Sequence, residues 1–170
     1  MTPRNTLRVQ ENSEPNVLIR ELSLREALCV RDVRRPEVGW AEDFPTEADV
    51  RVAKYVRFMP SPITEPWLAP WLIVENDLVV GMLGFKAEPV ANVLEVGYGV
   101  VPSARGRGVA TAALSQLLDH VKHRGFDVRA ETAIWNVPSQ HVLQHLGFNE
   151  VRRRSDPDDG DLIVWQRSTT

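Results

Sequence analysis

The stretch Val-Leu-Glu-Val-Gly-Tyr-Gly-Val-Val-Pro-Ser-Ala-Arg-Gly-Arg-Gly-Val-Ala, from Val93 to Ala110, joins a strand-like apolar run to the start of a long amphipathic helix. A strand that feeds a glycine-rich helix start is suited to phosphate, because the first helical amides lack partners inside the helix and sit at its positive end. Gly106 and Gly108 open backbone dihedrals closed to other residues and let a ligand approach the main chain, while the small Ala110 keeps the first turn uncrowded. Two common phosphate signatures do not fit. The P-loop needs Lys-Ser/Thr after its second glycine, and the dinucleotide fingerprint spaces three glycines differently. What the segment carries is Arg-x-x-Gly-x-Ala, at Arg105, Gly108 and Ala110.

Working outward, Val17–Leu22 reads as a first strand, and Ser23 caps a short helix through Val30. Thr46 leads a second helix, with Glu47 and Asp49 at its positive end and Val50, Val52, Ala53 and Val56 following. Pro60, Pro62, Pro66 and Pro70 then interrupt regular structure, and Trp67 and Trp71 read as exposed rings of a loop packed over a cleft. Trp71–Glu75 and Leu78–Lys86 form a hairpin about Asn76-Asp77, and Val93–Val101 is the fourth strand. The helix from Arg107 to His123 places Val109, Ala113, Leu117 and Val121 on one face. Asp127–Ile134 is a fifth strand and Val137–His145 a short helix; Phe148–Arg154 and Leu162–Gln166 close the chain around the Asp156–Gly160 turn. This alternation predicts an α/β domain with helices on both faces of a mixed, mostly antiparallel sheet.

A chain of 170 residues suits one domain, expected over residues 16–168. Met1–Pro15 is polar, is expected to be flexible, and has the pattern of neither a signal peptide nor a membrane span. A net charge of -3 argues against a nucleic-acid partner, since Arg152-Arg153-Arg154 is followed closely by Asp156, Asp158, Asp159 and Asp161. The lone Cys29 fits a reducing cytoplasm, and its apolar setting, Ala27-Leu28-Cys29-Val30, predicts a buried thiol. A homodimer is compatible with all of this.

The Arg105–Ala110 spacing resembles the pyrophosphate motif of the GNAT superfamily, the acetyl-coenzyme A-dependent N-acetyltransferases. A second family segment follows the next strand here: Asn136, the small Ser139 three positions later, and Leu146-Gly147-Phe148. The likeness covers Trp71 to Val151 and, within the family, is nearest the RimJ/RimL-type branch, which acetylates protein N-termini or small amines. It implies a single GNAT-like domain whose sheet splays open between the fourth and fifth strands, after Val93–Val101, to admit the pantetheine arm. It implies acetyl-CoA as co-substrate. The pyrophosphate would rest on Arg105, Gly106, Arg107, Gly108, Val109 and Ala110. Tyr98, Gly99 and Val100 would pair with the pantetheine amides, and a backbone amide near Gly99 or Val100 would polarise the thioester carbonyl. Tyr98 reads equally as an ordinary core aromatic. Asn136 would touch the pantetheine or hold the strand end open, with a plain helix cap as its alternative. The family commonly has a tyrosine seven residues after the asparagine as proton donor to the leaving thiolate. Leu143 stands there, so Ser139 becomes a candidate donor or relay, with helix capping as its alternative.

Side chains alternate along a strand, so Glu95 shares a face with Gly97 and Gly99, which leave room beside its carboxylate. An acceptor amine arrives as an ammonium ion and must lose a proton before attacking, which makes Glu95 the candidate general base, directly or through water. A half-exposed surface glutamate is the other reading. Glu42, Asp43 and Glu47 lie beside the aromatic Trp40 and Phe44, a surface suited to a cationic amine, although Glu47 and Asp49 also read as residues at the helix start. His141 and His145 share a helix face but lack the glutamate and third ligand of a zinc motif, so no metal is expected. No nucleophile–base pair stands out, which favours direct transfer to an amine in a ternary complex. A non-catalytic acetyl-CoA sensor on the same fold is the rival reading.

Overall fold

The computed structural model describes residues 16–35, 39–56 and 69–168. The expectations placed on Met1–Pro15, on Pro60, Pro62 and Pro66 and on Trp67 fall outside them. In chain order the elements are β1 (Val17–Glu21), α1 (Leu24–Arg31), α2 (Glu47–Val56), β2 (Trp71–Glu75), β3 (Leu78–Phe85), β4 (Val93–Val100), a 3-10 turn (Pro102–Ala104), α3 (Val109–Val121), β5 (Asp127–Ala133), α4 (Val137–His145), β6 (Asn149–Asp156) and β7 (Gly160–Arg167). Local chemistry sets several boundaries. Ser23 and Glu26 cap α1 reciprocally, each side chain accepting from the other's backbone N–H. Thr46 and Asp49 repeat that device at α2. Asn76 and Asp77 both take left-handed dihedrals, φ 49° and 67°, the turn that matches the twist of a two-residue hairpin.

The seven strands form one sheet in the order β1-β2-β3-β4-β5-β7-β6, antiparallel at every pairing except β4–β5. Alternation and register put Trp71, Leu83 and Tyr98 on one face, where Trp71 meets the ring of His120 on α3 at 4.9 Å. On that face α3 buries Val109, Ala113, Leu114, Leu117, Leu118 and Val121. The side-chain amide of its Gln116 donates to Val17 O and its carbonyl accepts from Ile19 N–H, which satisfies the open edge of β1. α2 lies over the opposite face, against Met82, Gly84, Gly97 and Gly99. Two expectations are corrected. Trp71 is a core residue of β2, 6% exposed, because its alternation in the strand turns the indole under α3. Cys29 is half-buried, since it sits at the margin of the apolar stripe that Ala27 and Val30 define. No helix among the described residues is long and apolar enough to cross a membrane.

The parallel pairing of β4 with β5 runs only from Val93–Asp127 to Val96–Ala130. Beyond it β4 continues along β3 to Val100, and β5 continues along β7 to Ala133. The sheet therefore opens after Val96, between the fourth and fifth strands.

Candidate active site

Two hydrogen bonds set the phase of β4. Lys86 N–H donates to Glu95 O and Val101 N–H to Val80 O, each at 2.8 Å. Hydrogen-bonded pairs alternate along an antiparallel ladder, so the main-chain groups of Gly97 and Gly99 are directed at β3. Those of Tyr98 and Val100 face the opening. Gly99 is thus corrected as an edge group: its backbone is committed to β3. The Val100 carbonyl accepts from Arg105 Nε at 3.3 Å. The Tyr98 hydroxyl donates to the Ser139 carbonyl at 3.2 Å, joining β4 to α4, and burial pushes its phenol above the usual range.

At the end of β4 the chain turns into α3 through Gly106 and Gly108, at φ 75° and 79°. A Cβ on either would meet nothing within 4 Å, so the turn faces open space. Gly108 is the N-cap and carries no capping side chain. The N–H groups of Val109, Ala110 and Thr111 find no acceptor among the described residues, and unpartnered amides at a helix start suit an anion. The Arg107 side chain turns elsewhere. Its Nε donates to Glu75 Oε1 at 3.1 Å, its Nη2 to Glu75 Oε2, and its Nη1 to Ser103 O at 2.6 Å. Glu75 is 5% exposed, so this fork pairs a buried carboxylate and braces the glycine turn from behind. Asp43 clips the same region: its carboxylate accepts from Ser103 N–H at 2.9 Å and Ser103 Oγ at 2.7 Å, and these bonds hold it below the usual carboxylate range.

On the other face of β4 lies a cleft of about 500 Å³, walled by Asp49 and Val52 of α2, Met82 and Lys86 at β3, and Gly97 and Gly99 of β4. Gly97 and Gly99 leave its floor bare, and a Cβ on Gly99 would meet nothing within 4 Å, whereas Pro70 Cα would lie 3.2 Å from a Cβ on Gly84. Its carboxylate is Asp49, 4% exposed, whose Oδ2 accepts from Thr46 N–H at 2.8 Å and Thr46 Oγ1 at 2.6 Å. Burial pushes this carboxyl above the usual range, against those hydrogen bonds. The acidic surface expected from Glu42, Asp43 and Glu47 is corrected accordingly. Asp43 holds Ser103, and Glu42 and Glu47 are exposed and outside the cleft wall. Glu95 lies beyond the cleft wall, with Oε1 accepting from Lys86 Nζ at 2.6 Å. The room beside Glu95 is shared with that lysine, whose Cε would sit 3.5 Å from a Cβ on Gly97.

Sequence reasoning weighed Asp49 only as a helix-start residue, and Lys86 and Glu75 not at all. Asp49 had a readable signal, since it precedes Val52, Ala53 and Val56 at helical spacing and so shares the apolar stripe.

Across the opening, Asn136 is the N-cap of α4, its Oδ1 accepting from Ser139 N–H at 3.3 Å. Ser139 is therefore capped rather than capping, and its half-buried hydroxyl has no partner among the described residues. Leu143 is fully buried. His141 and His145 stand on α4, and no group of three or more His, Cys, Asp or Glu gathers among the described residues.

A sequence model of the acetyltransferase (GNAT) domain matches residues 16–149. The chain belongs to the GNAT acetyltransferase family. GNAT enzymes use acetyl-CoA, and this chain is an acetyl-CoA-dependent N-acetyltransferase of that family. Its fold is similar to that of RimL, a ribosomal L7/L12 α-N-protein acetyltransferase solved with coenzyme A. The TM-score is 0.66 at 16% identity, over 89% of this chain and 93% of that one. It is similar to Mycobacterium smegmatis RimJ with a CoA disulfide, at 0.64 and 24%, over 89% of this chain and 81% of that one. It is also similar to a spermidine N-acetyltransferase SpeG chimera from Vibrio cholerae and hSSAT, at 0.63 and 12%, over 90% and 95%. No curated protein sequence matches the chain.

Proposed function

We propose that this GNAT protein transfers the acetyl group of acetyl-CoA directly to a primary amine, a small-molecule amine or a protein N-terminus, with both substrates bound at once. The observation that carries the reading is the two-sided exposure of β4. Its Tyr98 and Val100 backbone faces the opening to β5, while Gly97 and Gly99 form the floor of the cleft under α2. Acetyl-CoA supplies the activated acyl carbon. The Val109 and Ala110 amides and the turn at Gly106 and Gly108 receive its diphosphate, and Arg107 acts as a brace behind that turn. Arg105 hydrogen-bonds the Val100 carbonyl and so ties the turn to the strand edge. Tyr98 offers main-chain groups to the pantetheine amides, and Val100, whose carbonyl is held by Arg105, offers its N–H to the thioester carbonyl.

In the transfer, the amine nitrogen forms a bond to the acyl carbon as the carbon–sulfur bond breaks, and the ammonium gives up one proton beforehand. Glu95 takes that proton through water, because its ion pair with Lys86 holds it at the edge of the cleft rather than within it. The thiolate leaves as a competent group, since thiols titrate near pH 8.5. The nitrogen loses its second proton as the amide forms, and Ser139, whose hydroxyl has no partner among the described residues, relays that proton to the thiolate; Leu143 cannot. The rival reading of the sequence, an acetyl-CoA sensor without catalysis, arises only from Leu143 standing where the family commonly has tyrosine, and it makes the opposite forecast. Release of free thiol on incubation of the protein with acetyl-CoA and a panel of primary amines separates the two. Amine-dependent release is expected, and tight acetyl-CoA binding without release under any amine would favour the sensor.

A further inference from the structure

Asp49 caps α2 with Thr46, but capping alone does not require its carboxylate to be buried without a cation. The same chain shows what such a cap requires: at α1, Ser23 and Glu26 form the equivalent box at the solvent surface, and Glu26 is paired with Arg20 at 2.6 Å. At α2 the carboxylate is 4% exposed, and no cation among the described residues pairs with it. Its partners among the described residues are the Thr46 N–H and hydroxyl, both on Oδ2. The cation that shares the cleft, Lys86, is bonded to Glu95 instead. An ionised carboxylate taken out of water is costly unless a cation and hydrogen bonds meet it. Here it lines a cleft together with Val52, Pro70 and Met82, over the bare glycines 97 and 99 of β4.

We infer that Asp49 is the specificity residue that receives the charged nitrogen of the acceptor, so the acceptor is a cationic amine on an apolar body. The assignment rests on the acetyltransferase reading above. The ammonium bonds to the carboxylate, its apolar body lies along Val52, Pro70 and Met82, and Gly97 and Gly99 let it approach the strand whose far edge presents the thioester. Asp49 binds and selects the acceptor, while proton removal belongs to Glu95.

The test uses the full chain saturated with coenzyme A and two probes of equal shape, benzylamine and benzyl alcohol, titrated by calorimetry or NMR shift. Wild type is expected to bind the amine about tenfold more tightly than the alcohol, or better, as a desolvated charge pair allows. Asp49→Asn keeps an oxygen for the Thr46 N–H and is expected to abolish the preference with coenzyme A affinity unchanged. Thr46→Ala removes the cap partner but not the charge and is expected to keep the preference. Val52→Lys, at a 45% exposed position one turn from Asp49, supplies a competing cation and is expected to reduce the preference without depending on Asp49→Asn folding. Equal binding of the two probes by wild type, or a preference that survives Asp49→Asn or Val52→Lys, would overturn the assignment. So would its loss in Thr46→Ala. Failure of wild type to bind coenzyme A would instead overturn the acetyltransferase reading, so the two failures are distinct.

Discussion

Gly81→Ala tests whether the opening of the sheet depends on the close approach of β3 and β4. An ideal Cβ at Gly81 would lie 2.1 Å from Gly99 O, 3.0 Å from Val100 Cα and 3.1 Å from Gly99 C. Carbon–oxygen contacts between strands settle near about 3.3 Å, so the Gly99 carbonyl must retreat by roughly 1 Å. That carbonyl belongs to the Met82–Gly99 pair, and moving it so far breaks a ladder bond and strains its neighbour. Two hydrogen bonds at about 1 kcal/mol each, with about 1–3 kcal/mol for overpacking, give a loss of roughly 3–5 kcal/mol. Such a loss is a large share of the ordinary stability of a domain. Urea unfolding followed by tryptophan fluorescence should show a lower midpoint at unchanged slope. Coenzyme A titration of the folded fraction should show weaker binding, because the displaced atoms belong to Gly99 and Val100. Gly99→Ala is the control, its Cβ pointing into open space, and should stay within about 0.5 kcal/mol of wild type. A Gly81→Ala protein within about 1 kcal/mol of wild type, with normal coenzyme A affinity, would refute the reasoning.

Three further outcomes are expected. Gly108→Asp forces an acidic L-residue to φ 79° beside the free α3 amides, and should weaken coenzyme A binding by about tenfold or more, read by calorimetry. Glu95→Gln should lower amine-dependent turnover by about a hundredfold while coenzyme A affinity holds; unchanged turnover would remove Glu95 as base. Glu131, hydrogen-bonded by Arg154 at 3.0 Å and 2.6 Å, is held below its ordinary value of 4.5 by that guanidinium. Its folded form therefore stabilises the protein above pH 4.5, and this contribution disappears as pH falls through the depressed value. Glu131→Gln should cost about 1 kcal/mol at pH 7 and flatten the stability profile below pH 4.5, measured by urea midpoints across pH.

Elements whose signals are local were legible in the sequence. Ser23 with Glu26, Asn76 with Asp77, and the glycines at 106 and 108 act within a few residues of themselves, and the structure places a cap, a hairpin and an open helix start there. Strands β1 to β5 are neighbours in chain order, but β7 lies between β5 and β6, an inversion that the apolar runs and their short turns do not display. What sequence reasoning missed depends on partners far along the chain. Arg107 looked like a phosphate ligand until Glu75, 32 residues away, was found to hold it. Glu95 looked free until Lys86 was found across the strand pair. Trp71 looked exposed because prolines precede it, whereas alternation in β2 and the position of α3 decide its burial. Asp49 is the helix-start residue that spacing makes visible, and its bonds to Thr46 confirm that duty; its buried place in the cleft wall depends on how α2 packs over the sheet, which spacing does not display.

The phase of β4 has a consequence for what length changes the gene can tolerate. Under the proposed transfer, even-numbered residues would offer main-chain atoms in the plane of the sheet to one reactant, and odd-numbered residues would leave space above the plane for the other. Insertion or deletion of a single residue between Glu95 and Pro102 would swap these assignments, aiming the Tyr98 ring into the acceptor chamber and turning glycine amides toward the thioester. Surface connections elsewhere can drift in length, but this segment can change only in steps of two.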